Sequence, residues 1–305
     1  MKRSLTNGRK PESTLPAGYT PMIGKTRQLE IKPPAQPIPA LRKEFGQGCG
    51  ILRHSPPPGL YHHKRYAPPA ELAEWVEHFW LEEWQFESSV PQTREVLPHP
   101  NVHLVFAPSR SRVYGVQLRR FVRQLKGKDC IFGIKFHAGA FFPFTRKPVS
   151  AIANTSILAT EIFSNAADAE REVLMRCQDG SMVQAATNFL MAHLPSRDPR
   201  VDIVRQAVEQ IASDRSVTRV EHIVARCGIG ERTLQRLFDR YVGASPRWVI
   251  KRYRIYEALE SMAVGTRTEW ADLALTLGYF DQAHFINDFK KLVGCSPTEY
   301  AEPLA

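Results

Sequence analysis

The chain has 305 residues, of which 43% are hydrophobic and 24% are charged, and its formal net charge is +10. This length allows more than one globular domain with an ordinary core. No apolar run approaches the roughly 18 residues of a membrane helix, and the N-terminus lacks the apolar core of a signal peptide. We therefore expect a cytoplasmic protein. The five cysteines are scattered and form no CxxC pair, which argues against a disulfide framework or a zinc knuckle.

The positive charge is concentrated at the N-terminal end. Residues 1–66 hold 12 Lys and Arg against 3 Glu, whereas residues 201–305 hold 14 of each sign. The segment 1–58 also holds 10 of the 23 prolines and shows no helical or strand period, which predicts a flexible basic tail. Both a nonspecific phosphate-contacting arm and a solvated extension remain open for it.

The pattern of residues 59–158 predicts one helix followed by strands, which together form a β-rich domain. In PAELAEWVEHFW the apolar Leu72, Trp75, Val76 and Phe79 recur at i, i+3, i+4 and i+7, which is typical of an amphipathic helix. NVHLVFAP and CIFGIKFHAG then alternate with the period of a strand and are bounded by Pro and Gly. A small antiparallel barrel or sandwich is the natural interpretation.

Two helical stretches follow, TEIFSNAADAEREVLMRC and SMVQAATNFLMAHL. We expect them to form a helix pair that links the domains over residues 159–198 and that is a candidate for dimerisation.

Residues 199–305 predict helices throughout and contain an internal repeat. After a first stripe in RVDIVRQAVEQIASD, the segment VEHIVARCGIGERTLQRLFDRYVGASP aligns with EWADLALTLGYFDQAHFINDFKKLVGCSP at an offset of 51. Each copy reads as a short helix, a tight turn and a second helix, which predicts two helix-turn-helix units. The shared VGxSP supplies Gly243 and Gly294 to end the second helices, and a Ser and Pro to begin the next ones.

The second helix of unit one carries side chains suited to base reading. Its buried stripe is predicted from the apolar period, and the opposite face holds Arg232, Gln235, Arg236 and Asp239. Arg and Gln can read guanine and adenine edges in the major groove.

The outward face of unit two is less cationic, with Gln282, Ala283, Ile286, Asn287 and Lys290 after the N-cap candidate Asp281. We therefore expect unit one to dominate the affinity for DNA.

An unbroken stretch, Ser245 to Met262, predicts a connecting helix of 18 residues that spans roughly 27 Å. This length would let both units enter successive major grooves. We expect phosphate contacts, which position the protein on DNA, from Arg219, Thr233, Arg240, Arg247, Lys251, Arg252 and Lys290. Arg254 on the connecting helix is a further candidate.

The last 105 residues resemble the DNA-binding domain of AraC/XylS-type transcription regulators, through IVARCGIGERTLQRLFDRYVGASP and the run from RIYEALESM to LVGCSPTEY. The resemblance implies seven helices and base contacts by Arg232, Gln235, Arg236, Gln282, His284 and Asn287. It also implies double-stranded DNA and RNA polymerase as partners, and an activator is one of the expected roles. Gly230 stands where the family usually has an N-cap Ser, and Asn287 stands where Arg is common.

The stretch from HFWLEEW to GIKFHAGAFFPF resembles an uncharacterised domain found ahead of AraC-type DNA-binding domains. It implies a sensor or dimerisation role on a cupin-like β scaffold. The overall fold class is therefore α+β and multi-domain, with a β-rich N-terminal domain and an all-α domain over residues 199–305.

Four side chains are candidates for lining an effector pocket: Trp80, at the end of the predicted helix, and His103, Phe136 and His137, on or beside the predicted strands. The histidines lack the HxH and spaced Glu of a metal-binding cupin, so we expect neither a metal nor another cofactor. No GxSxG, Walker loop or paired His/Glu motif indicates catalysis. A cupin-like metalloenzyme or a binding module with an appended DNA-binding domain remains the alternative.

Overall fold

The computed structural model describes residues 51–52, 60–86, 91–175, 179–263 and 269–302. Most of the predicted tail, residues 1–58, lies outside these ranges. Within it, Ile51–Leu52 form a short strand, β1, that pairs with Glu95 and Val96.

The N-terminal part is built from two antiparallel sheets. Their strands are β1 (Ile51–Leu52), β2 (Leu60–Tyr66), β3 (Val76–Gln85), β4 (Gln92–Val96), β5 (His103–Phe106), β6 (Arg112–Tyr114), β7 (Phe121–Leu125), β8 (Lys128–Phe136) and β9 (Ser156–Leu158). The larger sheet has the order β2-β3-β8-β5-β6-β9, and the smaller has the order β1-β4-β7. The longest strands, β3 and β8, therefore lie side by side within the larger sheet.

Strand β8 has both faces covered. Phe132, Ile134 and Phe136 belong to the main core, whereas Ile131 belongs to a smaller cluster on the other face. Gly133 lies on this second face, where a Cβ atom would come within 2.0 Å of the Trp80 indole. Glycine is therefore required at 133 because the indole packs directly on the main chain.

The helix predicted around Trp75 and Phe79 is wrong. The structure has a single 3₁₀ turn at Ala70–Leu72, and strand β3 begins at Val76 with an irregularity between Val76 and His78. Because β3 is also covered on both faces, apolar residues occur on each, and the two-residue period of a strand is lost from the sequence. The spacing that suggested a helix reflects this double burial.

The remaining elements are mostly helical. The helices are α1 (Phe142–Thr145), α2 (Ala166–Leu174), α3 (Asp179–Met191), α4 (Pro199–Ser213), α5 (Val220–Cys227), α6 (Glu231–Leu237), α7 (Pro246–Ala263), α8 (Trp270–Thr276), α9 (Gln282–Val293) and α10 (Pro297–Ala301). Two further 3₁₀ turns lie at Val149–Ile152 and Ala159–Glu161. The mixed architecture, sheet-rich first and helical afterwards, is as predicted.

The shared VGxSP segments form the predicted punctuation. Helix α6 continues into a π-helical turn, Phe238–Val242, and ends at Gly243 with φ of 84°, while α9 ends at Gly294 with φ of 96°. Both glycines adopt the left-handed conformation that other residues avoid. Ser296 caps α10 in a capping box with Glu299, and the Ser245 hydroxyl accepts a hydrogen bond from the Trp248 amide.

Two hydrophobic cores divide the helical part. The first runs without interruption from the large sheet through α4 to Leu234, Phe238 and Tyr241 of unit one. The second surrounds α8 and α9, and it includes Leu97, a fully buried residue that directly follows β4. Each helix-turn-helix unit is thus anchored to a different part of the N-terminal domain.

Candidate nucleic-acid interface and inter-domain cavity

The first recognition helix, α6, presents the predicted face to solvent. Leu234, Leu237, Phe238 and Tyr241 are buried, and Arg232, Gln235, Arg236 and Asp239 are exposed. The helix starts after Gly230, which makes no side-chain cap. The 3.6-residue period therefore predicted both faces of this helix correctly.

The cationic side chains on this face are available for a partner. Neither Arg232 nor Arg236 forms a hydrogen bond or ion pair with any other part of the chain that the structure describes. The Gln235 amide donates to Glu231 Oε1 at 2.8 Å within the same helix. Two guanidinium groups with all their donors unsatisfied can form bidentate contacts with guanine.

The second recognition helix, α9, is capped as predicted, since Asp281 accepts a hydrogen bond from the His284 amide at 2.7 Å. Gln282, Ala283, Asn287 and Lys290 are exposed. Ile286 is instead half-buried against the second core, so the outward position predicted for it is wrong. His284 is also half-buried, with Nε2 3.5 Å from Asp288 Oδ2.

Two of the candidate phosphate contacts on α7 are wrong, because Arg252 and Arg254 are only 3% and 2% exposed. Arg254 donates to the main-chain oxygens of Ile211 and Arg215, both at 2.7 Å, and also binds Glu257. It therefore satisfies carbonyls at the C-terminal end of α4. The helical period could have predicted the burial of Arg254, because this residue lies one turn before Ala258, which is buried.

Arg252 joins α7 to the N-terminal domain. Its Nε donates to the Pro98 carbonyl at 2.8 Å, and its Nη2 lies 2.8 Å from His99 Nδ1. Trp248, on the same helix, donates from Nε1 to the Leu118 carbonyl at 3.1 Å. The connecting helix is thus held by the β-rich domain at two places.

The remaining phosphate candidates are accessible to different degrees. Arg219, Arg240, Arg247 and Lys290 are exposed, and Thr233 and Lys251 are half-buried. Lys251 forms an ion pair with the buried Asp288 at 2.6 Å. The Arg240 guanidinium lies 4.5 Å from the centre of the Phe142 ring, so that its orientation is fixed by the N-terminal domain.

A cavity of 560 Å³ lies between the sheets and helices α4 and α7. From the sheets it is lined by Arg65, Glu77, His78, Trp80, Glu82, Arg94, His103, Arg123 and Lys135, among others; from α4 by Arg205, Val208, Glu209 and Ala212; and from α7 by Arg252, Tyr253 and Tyr256. The helix that connects the two recognition units therefore forms part of the cavity wall.

Three of the four predicted pocket residues line this cavity: Trp80, His103 and His137. Phe136 does not, because it lies on the opposite face of β8 and packs against Phe141 and Phe144. The alternation along β8 assigned Phe136 to an apolar face but could not tell which face met the cavity. The sequence did not predict the contribution of α4 and α7, because their lining residues lie far along the chain from the strands that form the rest of the cavity wall.

The cavity contains neutral histidines and two ionised carboxylates, of which Glu82 is buried and Glu77 is half-buried. Burial lowers the pKa of His78 to about 4 and that of His103 to about 3. Burial alone opposes ionisation of Glu77, but the charge on Lys135, 2.7 Å away, helps to hold the pKa of that carboxyl well below its usual range. Burial likewise opposes ionisation of Glu82, yet His63 at 3.6 Å, the hydrogen bond from the Tyr61 hydroxyl and the charge on Arg94 lower its pKa to about 2.

The described residues contain no group of three or more His, Cys, Asp and Glu side chains arranged to hold a metal ion. The predicted absence of a metal stays a prediction for the whole chain. Among the same residues, no helix is both long and apolar enough to cross a membrane.

Comparison with known families assigns both parts of the chain. Residues 223–302 match a helix-turn-helix domain family, and residues 64–158 match a domain of unknown function, DUF6597. A crystal structure of a probable AraC family transcriptional regulator from Rhodopseudomonas palustris CGA009 is 31% identical, and the match covers 33% of this chain and 99% of that one, with a TM-score of 0.30. The chain belongs to the AraC family of transcriptional regulators.

Two further known proteins show similarity to this AraC-family chain. Escherichia coli K12 YkgA, named as an HTH-type transcriptional regulator, is 31% identical over 102 residues, which are 33% of this chain and 42% of YkgA. The chain thus spans less than half the length of that relative. ToxT from Vibrio cholerae is 11% identical over 79% of this chain and 97% of its own, with a TM-score of 0.36.

Proposed function

We propose that this AraC-family regulator reads an asymmetric DNA site with two unequal recognition helices, and that a small molecule in the inter-domain cavity controls the reading. The observation that carries the proposal is that α7 belongs both to the DNA-binding domain and to the wall of the cavity. This helix connects the two units and contributes Arg252, Tyr253 and Tyr256 to the cavity. An occupant of the cavity would therefore contact the element that sets the spacing of the recognition helices.

Unit one is proposed to supply most of the sequence-specific contacts, through Arg232, Gln235 and Arg236. The exposed face of α6 supports this role, because its two guanidinium groups are not engaged within the described chain. Gln282, His284 and Asn287 would read more weakly, since neither Gln282 nor Asn287 is charged and His284 lies beside Asp288. Arg219, Thr233, Arg240, Arg247, Lys251 and Lys290 are proposed to contact phosphates.

The test of unit one is a binding-site selection with wild-type protein and Arg236→Ala. We expect the variant to lose about 1–3 kcal/mol at one guanine and to relax the preference at that position alone. Arg226→Ala is the matched control, because Arg226 forms an ion pair with Asp214 at 2.6 Å and lies on the first helix of the unit. An equal loss for Arg236→Ala on every sequence would instead assign Arg236 to the phosphate backbone.

The cavity is proposed to take an uncharged or anionic effector. Six cationic side chains line it (Arg65, Arg94, Arg123, Lys135, Arg205 and Arg252), against three acidic ones (Glu77, Glu82 and Glu209). Because the lining histidines with lowered pKa values are neutral, a cationic effector would meet a net positive wall. Aromatic side chains such as Trp80 and Tyr256 would contact its apolar part.

The test of the cavity is a thermal-shift screen of small metabolites on wild-type protein and on Ala212→Trp, which fills the cavity from α4. A true effector raises the Tm of the wild type, leaves that of Ala212→Trp unchanged, and alters the affinity for the selected DNA site. Compounds that stabilise both proteins equally bind elsewhere and would contradict the assignment.

The remaining parts of the proposal concern assembly and chemistry. We propose homodimerisation through residues 159–194, where Met175 and Met191 are 78% and 42% exposed, and RNA polymerase as a further partner. Sedimentation equilibrium of the full chain tests the dimer. We further propose that the protein resides in the cytoplasm and is not an enzyme; one metal ion per purified chain would favour the alternative of a cupin-like metalloenzyme.

A further inference from the structure

The two helix-turn-helix units differ in how they use equivalent apolar positions. The 51-residue offset pairs Leu234 with Phe285 and Phe238 with Phe289, and all four side chains are fully buried. It also pairs Ile229 with Phe280. Ile229 packs against the first core, whereas Phe280 is 89% exposed. Equivalent positions of the repeat are therefore not equally buried.

Phe280 lies at the entrance to the second recognition helix. It directly precedes the N-cap Asp281, and α9 starts at Gln282. Its neighbour Tyr279 is buried and packs against Phe285, so the core of unit two is complete without the Phe280 ring. The N-terminal end of a recognition helix is the part that contacts base edges.

The surroundings of Phe280 offer few groups for polar reading. Ala283, one turn further on, is exposed as well. Asp288 engages the nearby basic side chains, with Lys251 at 2.6 Å, His284 at 3.5 Å and Lys291 at 3.9 Å. The tip of α9 therefore presents an aromatic ring and a methyl group beside the amide of Gln282.

Phe and Ala are side chains that contact the C5-methyl group of thymine in the major groove. We propose that Phe280, with Ala283, reads the methyl group of a thymine in the half-site of unit two. The inference rests on the proposed function, because it requires that unit two enters the major groove. It assigns to the less cationic unit a specificity that depends on apolar contact.

The experiment measures the affinity of the full chain for a site obtained by selection, in which each thymine of the second half-site is replaced in turn by deoxyuridine. This change removes one methyl group and leaves every hydrogen-bonding group in place. At one or two positions we expect wild-type affinity to fall about fourfold, the effect of withdrawing one buried methyl-sized group. Phe280→Ala should bind the thymine site about four- to tenfold more weakly and, because Ala283 remains, should keep only a small part of the distinction between thymine and deoxyuridine.

Two variants separate this contact from a general effect. Phe280→Leu keeps an apolar side chain and should retain part of the discrimination. Leu275→Ala removes a side chain that is 63% exposed but lies on α8, the helix that crosses the backbone in this motif, and it should retain all of it. Because Phe280 is outside the core, the unfolding temperature of Phe280→Ala should equal that of the wild type.

Each contrary outcome has its own meaning. If Phe280→Ala distinguishes thymine from deoxyuridine as well as the wild type does, the methyl contact of Phe280 is wrong although unit two still binds DNA. If Phe280→Ala lowers transcription without changing DNA affinity, the ring contacts a protein instead. If the selection yields no second half-site, the proposed function of unit two fails and the inference falls with it.

Discussion

Leu97→Ala tests whether the N-terminal domain and unit two share a core. Leu97 follows strand β4, yet its side chain is fully buried among residues of α7, α8 and α9, including Ile255, Leu273 and Phe289. The next two residues contact Arg252: the Pro98 carbonyl accepts a hydrogen bond from its Nε, and His99 Nδ1 lies 2.8 Å from its Nη2. Truncating Leu97 therefore removes apolar contact at the point where the cavity wall meets the second helix-turn-helix unit.

The expected loss follows from the burial. Withdrawing a fully buried leucine from its core costs about 1.5–3 kcal/mol in transfer free energy, and a residual cavity brings Leu→Ala substitutions to about 2–5 kcal/mol. Since Leu97 belongs to the second core and also lines the cavity, we expect a decrease of about 3 kcal/mol in the free energy of unfolding. Leu158→Ala, at a position 46% exposed, should lose less than about 1 kcal/mol.

Urea unfolding followed by tryptophan fluorescence measures both variants. Hydrogen exchange provides the local readout, because protection should fall mainly in residues 97–100 and 269–302 if Leu97 is the link. A decrease for Leu97→Ala no larger than that for Leu158→Ala would refute the shared core. So would a loss of protection confined to the sheets.

Three further predictions concern stability. Arg254→Met should lower the free energy of unfolding by about 3 kcal/mol, because it leaves a buried carboxylate and main-chain carbonyls unpaired; urea unfolding that matches the wild type would contradict this. The folded-state pKa values of His78 and His103, about 4 and about 3, lie below the unfolded value near 6.5. The unfolded state therefore binds more protons in the interval between, so stability should be complete above about pH 6.5 and should fall as pH decreases toward 4; His103→Gln should flatten this dependence in pH-resolved thermal melts. Gly230→Ser should raise the free energy of unfolding by about 0.5–1 kcal/mol, since residue 230 has an extended N-cap conformation with open space around a new Cβ atom. Gly228→Ser, at φ of 63°, should lower it, and calorimetry that finds the same sign for both would refute the argument.

The helical part was predictable because its signals are local. A 3.6-residue period placed Leu234 inward and Arg236 outward on α6 without knowledge of any partner element. The positive-φ glycines and the capping Ser296 were recognisable from VGxSP, because the conformation of a helix end depends on a few adjacent residues. Asp281 was identified as a cap for the same reason.

Prediction failed where burial depended on distant segments. Strand β3 was predicted to be a helix because the sheet is covered on both faces. Arg252 was predicted to contact phosphate because its partners, Pro98 and His99, lie about 150 residues earlier in the chain. The exposure of Phe280 likewise depends on distant segments, since its repeat partner Ile229 packs against a core that unit two does not share. An internal repeat predicts equal backbones, whereas exposure depends on what each copy meets.

Short-range periodicity and backbone preference were enough to predict the two helix-turn-helix units, their caps, and the face of α6 that carries Arg232 and Arg236. Three features required the folded chain: α7 forms a wall of the cavity, Leu97 belongs to the core of unit two, and Phe280 is exposed to solvent. Such contacts join segments far apart in the chain, and their energies depend on packing that no local pattern records.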